Sequence, residues 1–199
     1  MRYRNSAQKG APMKDRCIQI TRISVGWIDG IIQDKHTKIY FSNSYMDNFL
    51  DDFMLAFLTV LNEYPADEHK ETFRATIEPA SAKWNFSLVG QNIHIHEIVY
   101  ESYNDPETIL SDKTVILNKD VFLQDFIAEM ESILQRYGLF GYRMEWESEF
   151  PLSLFLKIKD IASGKNDLRL SVINPGADNK GIEITGSDFS VECGIMKGT

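Results

Sequence analysis

Two histidines two residues apart are the side chains of this sequence whose spacing best suits metal chemistry. His94 and His96 lie in an alternating stretch, and side chains at i and i+2 of a β-strand point to the same face. Both rings can therefore reach one ion. Glu97 points to the opposite face, and the other histidines, His36 and His69, fall in predicted loops. The solvated face of a hairpin explains the pair more simply, so we predict no metal.

Motifs for nucleophilic catalysis or phosphate binding are missing from the sequence. It has no Gly-x-Ser-x-Gly elbow, and the glycine-containing run at 176–181 lacks the strand and helix that flank a phosphate loop. Cys17 and Cys193 show no metal or redox spacing; a reduced chain is predicted, and a disulfide between them stays open. We predict a protein that is not an enzyme and needs no cofactor. A metal-dependent enzyme or a small-ligand-binding domain that uses His94 and His96 is the alternative.

Clustered carboxylates are the stronger functional signal. The net charge of -8 argues against nucleic acid as a partner, because phosphate binding requires clustered Lys and Arg, but it suits a basic protein partner. Solubility alone explains many acidic clusters. The functional hypothesis is an acidic docking face that accelerates association. The candidate partner-binding residues are the acids of two segments: Glu145, Glu147, Glu149, Glu101, Asp105 and Glu107.

The second half of the chain must position most of these acids. Asn118 is a suitable N-cap for an amphipathic helix that ends at Gly138. Alternation then predicts a strand over 142–149, with Tyr142, Met144 and Trp146 on the packed face and the glutamates on the solvated face. Pro151 begins a further helix that ends at 164.

The first half supplies strands and one long, broadly apolar helix. Strands are predicted at 17–24, 27–33 and 38–42, followed by a helix that Ser44 caps and Pro65 ends. Three more strands are predicted at 72–78, 83–89 and 92–99, then an acidic loop at 101–112 and a short strand at 115–117. The predicted fold class is α+β: an antiparallel sheet of about six strands, with two long helices and one short helix packed on one face.

Three segments are predicted along the 199 residues. Residues 1–16 form a flexible basic leader, 17–164 a single α+β domain, and 165–199 a C-terminal β-like extension with two short strand-like pieces at 168–173 and 181–185. No apolar run approaches the ~18 residues of a membrane span, and the start lacks the apolar region of a signal peptide. A cytoplasmic protein without membrane contact is therefore predicted.

Several core and turn residues between 17 and 162 give the chain a family resemblance. The residues that carry it are Phe122-Leu123-Gln124-Asp125-Phe126, the run from Gln135 to Tyr142, Trp146, Phe150-Pro151-Leu152, Trp84-Asn85-Phe86-Ser87-Leu88 and Ile93-His94-Ile95. In these residues the chain resembles small bacterial immunity proteins of polymorphic and contact-dependent toxin systems. That resemblance implies a cytoplasmic, non-catalytic protein that neutralises one cognate toxin, a basic one if the acidic residues form the docking face.

Overall fold

A computed structural model of the chain describes residues 16–61, 71–102, 105–165, 167–173, 181–185 and 189–198. For residues 105–107, 169–173 and 181–185 it describes the backbone alone. The predicted leader therefore lies outside the described residues except for Arg16, and so does the predicted helix end at Pro65. Within the described ranges, no helix is both long enough and apolar enough to cross a membrane.

Strands and helices alternate in groups along the described chain. The first group is β1 (Ile18–Ser24), β2 (Trp27–Gln33), β3 (Lys38–Ser44) and α1 (Phe49–Val60). The second is β4 (Thr72–Ile77), β5 (Ala80–Val89), β6 (Asn92–Ser102), β7 (Asp105–Asn118) and α2 (Lys119–Trp146). The remainder is α3 (Leu152–Ser163), β8 (Arg169–Ile173), β9 (Gly181–Thr185) and α4 (Phe189–Lys197).

The α+β class is confirmed, but the single sheet of about six strands is wrong. β1, β2 and β3 form one antiparallel sheet, β4 to β7 form a second, and β8 pairs with β9 in a separate hairpin. Four helices accompany these sheets in the described chain instead of three. Alternation of side chains predicts that a segment is a strand, but it does not say which strands pair. Here the chain leaves the first sheet through α1 and starts a new meander at β4.

The acidic stretch at 101–112, predicted as a loop, is mostly strand. β6 and β7 pair from Asn92↔Asn118 to Ser102↔Asp105, with register shifts near Tyr100. Acidic residues are poor strand formers on average, yet an edge strand leaves its charges in water, so composition misled the prediction.

Aromatic rings fill the space between the two sheets and the helices. The rings of Phe41 on β3 and Trp84 on β5 meet edge to face, with centroids 5.8 Å apart. Phe53 on α1 contacts Phe86 at 4.9 Å on one side and stacks on Phe126 of α2 at 5.7 Å on the other. The broad apolar face of α1 is therefore buried on several sides, as predicted. Its predicted cap is wrong: Ser44 ends β3, and Asn48 occupies the N-cap position.

Polar side chains of α2 close the free edge of β1. Asp125 Oδ2 accepts the backbone N–H of Cys17 at 2.8 Å, and Glu129 Oε1 accepts that of Ile20 at 3.0 Å. The helix thereby takes the place of a fourth strand, and a sheet edge covered in this way offers no template for aggregation.

The predicted strand at 142–149 is wrong, because α2 continues to Trp146. The Asn118 cap is confirmed: its side chain accepts the N–H groups of Asp120 and Val121. Gly138 does leave the helical conformation, at φ 64° and ψ 179°, but for one residue only. Tyr142 and Trp146 are four residues apart, so their burial fits a helical period as well as alternation, and Met144 is exposed.

The C-terminal segments mostly follow the sequence prediction. α3 follows Pro151, and its C-cap Gly164 is left-handed at φ 69°. The two predicted strand-like pieces are β8 and β9, which pair in an antiparallel hairpin. α4 was not predicted. It contacts α3, where Lys159 Nζ donates to the carbonyl oxygen of Met196 at 3.1 Å.

Candidate protein-binding surface

A strained turn between β1 and β2 is the starting point of the site. Ser24 pairs with Trp27, so Val25 and Gly26 are the two central residues of the hairpin, with φ +52° and +72°. Positive φ at both positions is the signature of a type I′ turn, which favours Asn-Gly. A β-branched residue at positive φ is a true outlier, and such strain concentrates at functional sites. Val25 is also 80% exposed, so packing in the core does not explain it.

Two other segments hold this turn in place. The N–H of Gly26 donates to the carbonyl oxygen of Glu145 at 2.7 Å, and the carbonyl oxygen of Gly26 accepts the N–H of Tyr45 at 2.8 Å. A Cβ at position 26 would lie 2.6 Å from Cδ1 of Tyr45, so the tyrosine ring lies directly against the glycine backbone. The β1–β2 turn, the β3–α1 connection and the end of α2 therefore meet at one point.

Each of these three segments exposes large apolar side chains. We call them the turn patch: Val25, Tyr45, Met46, Phe140 and Met144, all of which are exposed. Phe140 and Met144 are one helical turn apart on α2, and so lie on one side of it. Aromatic residues and Met are enriched in protein interfaces, and grouped exposed apolar side chains mark interaction sites.

Carboxylates flank the turn patch, although not as predicted. Glu145, Glu147 and Glu149 do not share a strand face: Glu145 is in the last turn of α2, Glu147 is its left-handed C-cap, and Glu149 lies beyond the helix. Arg143 forms an ion pair with Glu149. Glu145 Oε2 lies 3.4 Å from the N–H of Val25, which brings this predicted residue into the patch itself. The charge left at this edge is negative.

The second predicted acidic group lies on the β6–β7 hairpin. Ser102 pairs with Asp105, and Glu101 is exposed near the end of β6. The side chains of Asp105 and Glu107 are outside the described part of the structure. No described contact joins this hairpin end to the turn patch.

The histidine pair lies on the outer face of the four-stranded sheet. His94 and His96 share that face, as predicted, and His96 Nε2 lies 2.8 Å from Asp112 Oδ1. In the next strands, Arg74 and Lys83 are directly opposite each other. Among the described residues, no three His, Cys, Asp or Glu side chains converge to hold a metal.

Glu97, the residue after the pair, is a buried titratable group of the core. It points inward beside Trp84, its partner on β5, and no described group bonds its Oε1. Burial raises its pKa from 4.5 to about 7, and Lys113 only partly offsets this effect. Because the carboxyl group is buried in the core, its protonation state affects the stability of the fold.

Sequence reasoning missed all five residues of the turn patch as site residues, and it placed Met144 on a packed strand face although the side chain is exposed. The one available signal was the two-residue interval between the strands predicted at 17–24 and 27–33. A hairpin that short requires positive φ at its centre, and Val is a poor residue for that conformation. Nothing in the local sequence says that Tyr45 and Glu145 lie beside this turn.

Comparison of the chain with protein-family models, with curated proteins and with solved structures finds no match to any of them.

Proposed function

We propose that this chain is a non-enzymatic protein-binding domain that docks a partner protein on the turn patch. The observation that carries the proposal is Val25, a strained and exposed apolar residue held against Glu145 by two backbone contacts of the turn. The left-handed conformation costs an L-residue roughly 1–2 kcal/mol. Because the Val25 side chain is exposed, packing in the core does not offset this cost. Contact with a partner gives the residue a role.

The chemistry of the surface defines the partner that fits it. Val25, Met46 and Met144 offer adaptable apolar contacts, and methionine repacks readily around different side chains. Glu145 and Glu147 add negative charge at one edge, where a Lys or Arg of the partner forms a favourable pair. The partner is therefore a basic protein that presents apolar side chains next to its cations.

A cognate bacterial toxin is the partner class that the family resemblance implies. In that role the chain acts in the cytoplasm, binds the toxin domain before it reaches its target, and blocks it by occlusion. No catalytic group is needed for this function, since one bound copy of this chain blocks one toxin molecule.

Affinity capture from the lysate of the native host tests the proposal. The full chain is immobilised as the wild type, as the patch variant Met46→Ser/Met144→Ser, and as the control Val89→Ser/Ile109→Ser. All four residues are exposed apolar side chains, and the control pair lies on the four-stranded sheet. The proposal expects one stoichiometric basic protein, retained by the wild type and the control but lost from the patch variant. A capture profile that is the same for both variants contradicts it.

A further inference from the structure

A separate cleft lies away from the turn patch, between the β2–β3 turn, the end of β7 and the first turn of α2. Its volume is about 1010 Å³. That is at the upper end of the range for small-molecule sites in proteins, ~300–1,000 Å³. Neither the sheet pairings nor the proposed protein contact accounts for it.

One wall of the cleft is a rigid turn. Asp34 Oδ1 accepts the N–H groups of His36 and Thr37, both at 2.7 Å, and Oδ2 accepts the N–H of Ile116 on β7 at 2.8 Å. Desolvation acts to raise the pKa of Asp34, but these three hydrogen bonds outweigh it, so the pKa lies below its usual value. The turn is thus tied to the edge of β7 and the cleft is preformed.

Three cations and two carboxylates line the cleft, a formal charge of +1 with His36 neutral, although the chain as a whole carries -8. The two carboxylates, Asp34 and Asp125, each accept backbone N–H groups: Asp34 as above, and Asp125 that of Cys17 at 2.8 Å. Lys35 and Lys38 also line it, and neither forms an ion pair with any described residue. The one described contact of Lys38 Nζ is with the ring of Tyr40, at 5.6 Å from its centroid. A contact with an aromatic ring leaves the ammonium group of Lys38 able to pair with an anion.

Apolar side chains form the rest of the lining. Ile31 of β2, Ile116 of β7 and Val121 of α2 all line the cleft. Ile116 and Val121 are 50% and 55% exposed, so about half of each side chain remains in contact with water. An apolar ligand body covers this surface with a gain of about 25 cal/mol for each Å² removed from water.

We infer that this cleft binds a small amphipathic carboxylate. The apolar body of the ligand lies on Ile31, Ile116 and Val121, and its carboxylate lies at the rim with Lys35 and Lys38. Lysine suits this position because its flexible stem packs on apolar groups while its ammonium reaches the anion. An amphipathic cation of the same length binds more weakly, because its head group meets the ammonium groups of Lys35 and Lys38 at the rim.

Titration of the full chain with dodecanoate, below its micelle concentration, tests the inference. Dodecyltrimethylammonium is the matched cationic ligand, calorimetry gives the affinities, and amide chemical shifts locate the bound ligand. The site variant is Lys35→Glu/Lys38→Glu. The control is Arg74→Glu/Lys83→Glu, which changes the net charge equally on the outer sheet face.

The inference expects dodecanoate to bind with shifts centred on residues 31, 116 and 121, and the cationic ligand to bind at least tenfold more weakly. The site variant should bind dodecanoate roughly tenfold more weakly, from the loss of two exposed charge contacts, while the control retains most of its affinity. Equal affinity for both ligands, shifts centred on the turn patch, equal effects of the two variants, or no binding would each overturn it. None of these outcomes bears on the proposal that the turn patch binds a partner protein.

Discussion

The backbone N–H of Gly26 donates to the carbonyl oxygen of Glu145 at 2.7 Å, so the β1–β2 turn is fixed to the last turn of α2. Residues 119 apart in sequence thereby build one surface. The second part of α2 reaches the turn only because Gly138 redirects the helix, at φ 64° and ψ 179°. The turn patch thus depends on Gly138, two residues before Phe140 on the same helix.

The Gly138→Ala variant should lose stability and distort the patch. The backbone of Gly138, at φ 64° and ψ 179°, lies in a region that essentially only glycine adopts. Any other residue is strained there by ~1–3 kcal/mol. A Cβ at this position meets no atom within 4 Å, so any loss comes from the backbone and not from a clash. Urea denaturation measures the loss. Gly141→Ala is the control: its Cβ makes an ordinary 3.7 Å contact inside the helix, and the change should be neutral or stabilising by up to ~1 kcal/mol. Equal losses for both variants would refute the explanation.

Reversing the charges of Glu145 and Glu147 should slow association with the partner. At low ionic strength the on-rate of the Glu145→Lys/Glu147→Lys variant should fall roughly tenfold, and its dependence on salt should weaken. Stopped-flow kinetics over a salt series provides the measurement. Glu71→Lys/Asp167→Lys is the control, since both residues are exposed and lie outside α2, one just before β4 and the other between α3 and β8. An unchanged on-rate in the first variant removes these two glutamates from the docking face.

Closure of the β1 edge by α2 predicts unequal effects for two glutamates on one helix. Glu129 is buried, bonds Ile20 N–H, and forms ion pairs with Arg16 and Arg136, both at 3.1 Å. Glu129→Ala leaves these groups without their acceptor and should lower the free energy of unfolding by about 3 kcal/mol. Glu131→Ala breaks only the more exposed pair with Lys159 and should cost less than ~1 kcal/mol. Similar losses in the two variants would show that the edge does not depend on Glu129.

Glu97 should make the protein less stable as the pH rises. Its folded-state pKa of about 7 exceeds the ordinary 4.5, so the folded state binds the proton more tightly than the unfolded state. The associated stability is fully present below about pH 4.5 and is lost as the pH rises through 7, by an amount on the order of 3 kcal/mol. The Glu97→Gln variant should remove this slope from the free energy of unfolding measured between pH 5 and 8. Glu101→Gln, on the same strand but exposed, should keep it; identical slopes in Glu97→Gln and the wild type would count against a buried carboxyl.

Local signals in the sequence predicted many elements well, since capping and periodicity are properties of neighbouring residues. The Asn118 cap, the strand at 27–33 and the end of α3 at Gly164 are all where the sequence places them. The segment at 142–149 failed because three apolar residues at intervals of two satisfy alternation, while two of them also satisfy a helical interval of four. Only the packing of Tyr142 and Trp146 into the core distinguishes these possibilities.

Long-range relationships could not be predicted from neighbouring residues. The division into two sheets depends on which edges pair, and α2 occupies the edge of β1 through Asp125 and Glu129. The candidate surface also depends on contacts between segments that are far apart in the sequence. Glu145 was predicted as a site residue from charge alone, but its neighbours Val25 and Tyr45 come from segments about 100 residues away.

The most direct test of the turn patch is the Val25→Asn variant, measured for both stability and partner affinity. Asn is favoured at the first central position of a type I′ turn, so the free energy of unfolding should rise by ~1 kcal/mol. The same change removes an exposed apolar contact, so the dissociation constant for the captured partner should rise about tenfold or more. A more stable protein that binds more weakly is the predicted result. A more stable protein with unchanged affinity would contradict the assignment of this turn to partner binding.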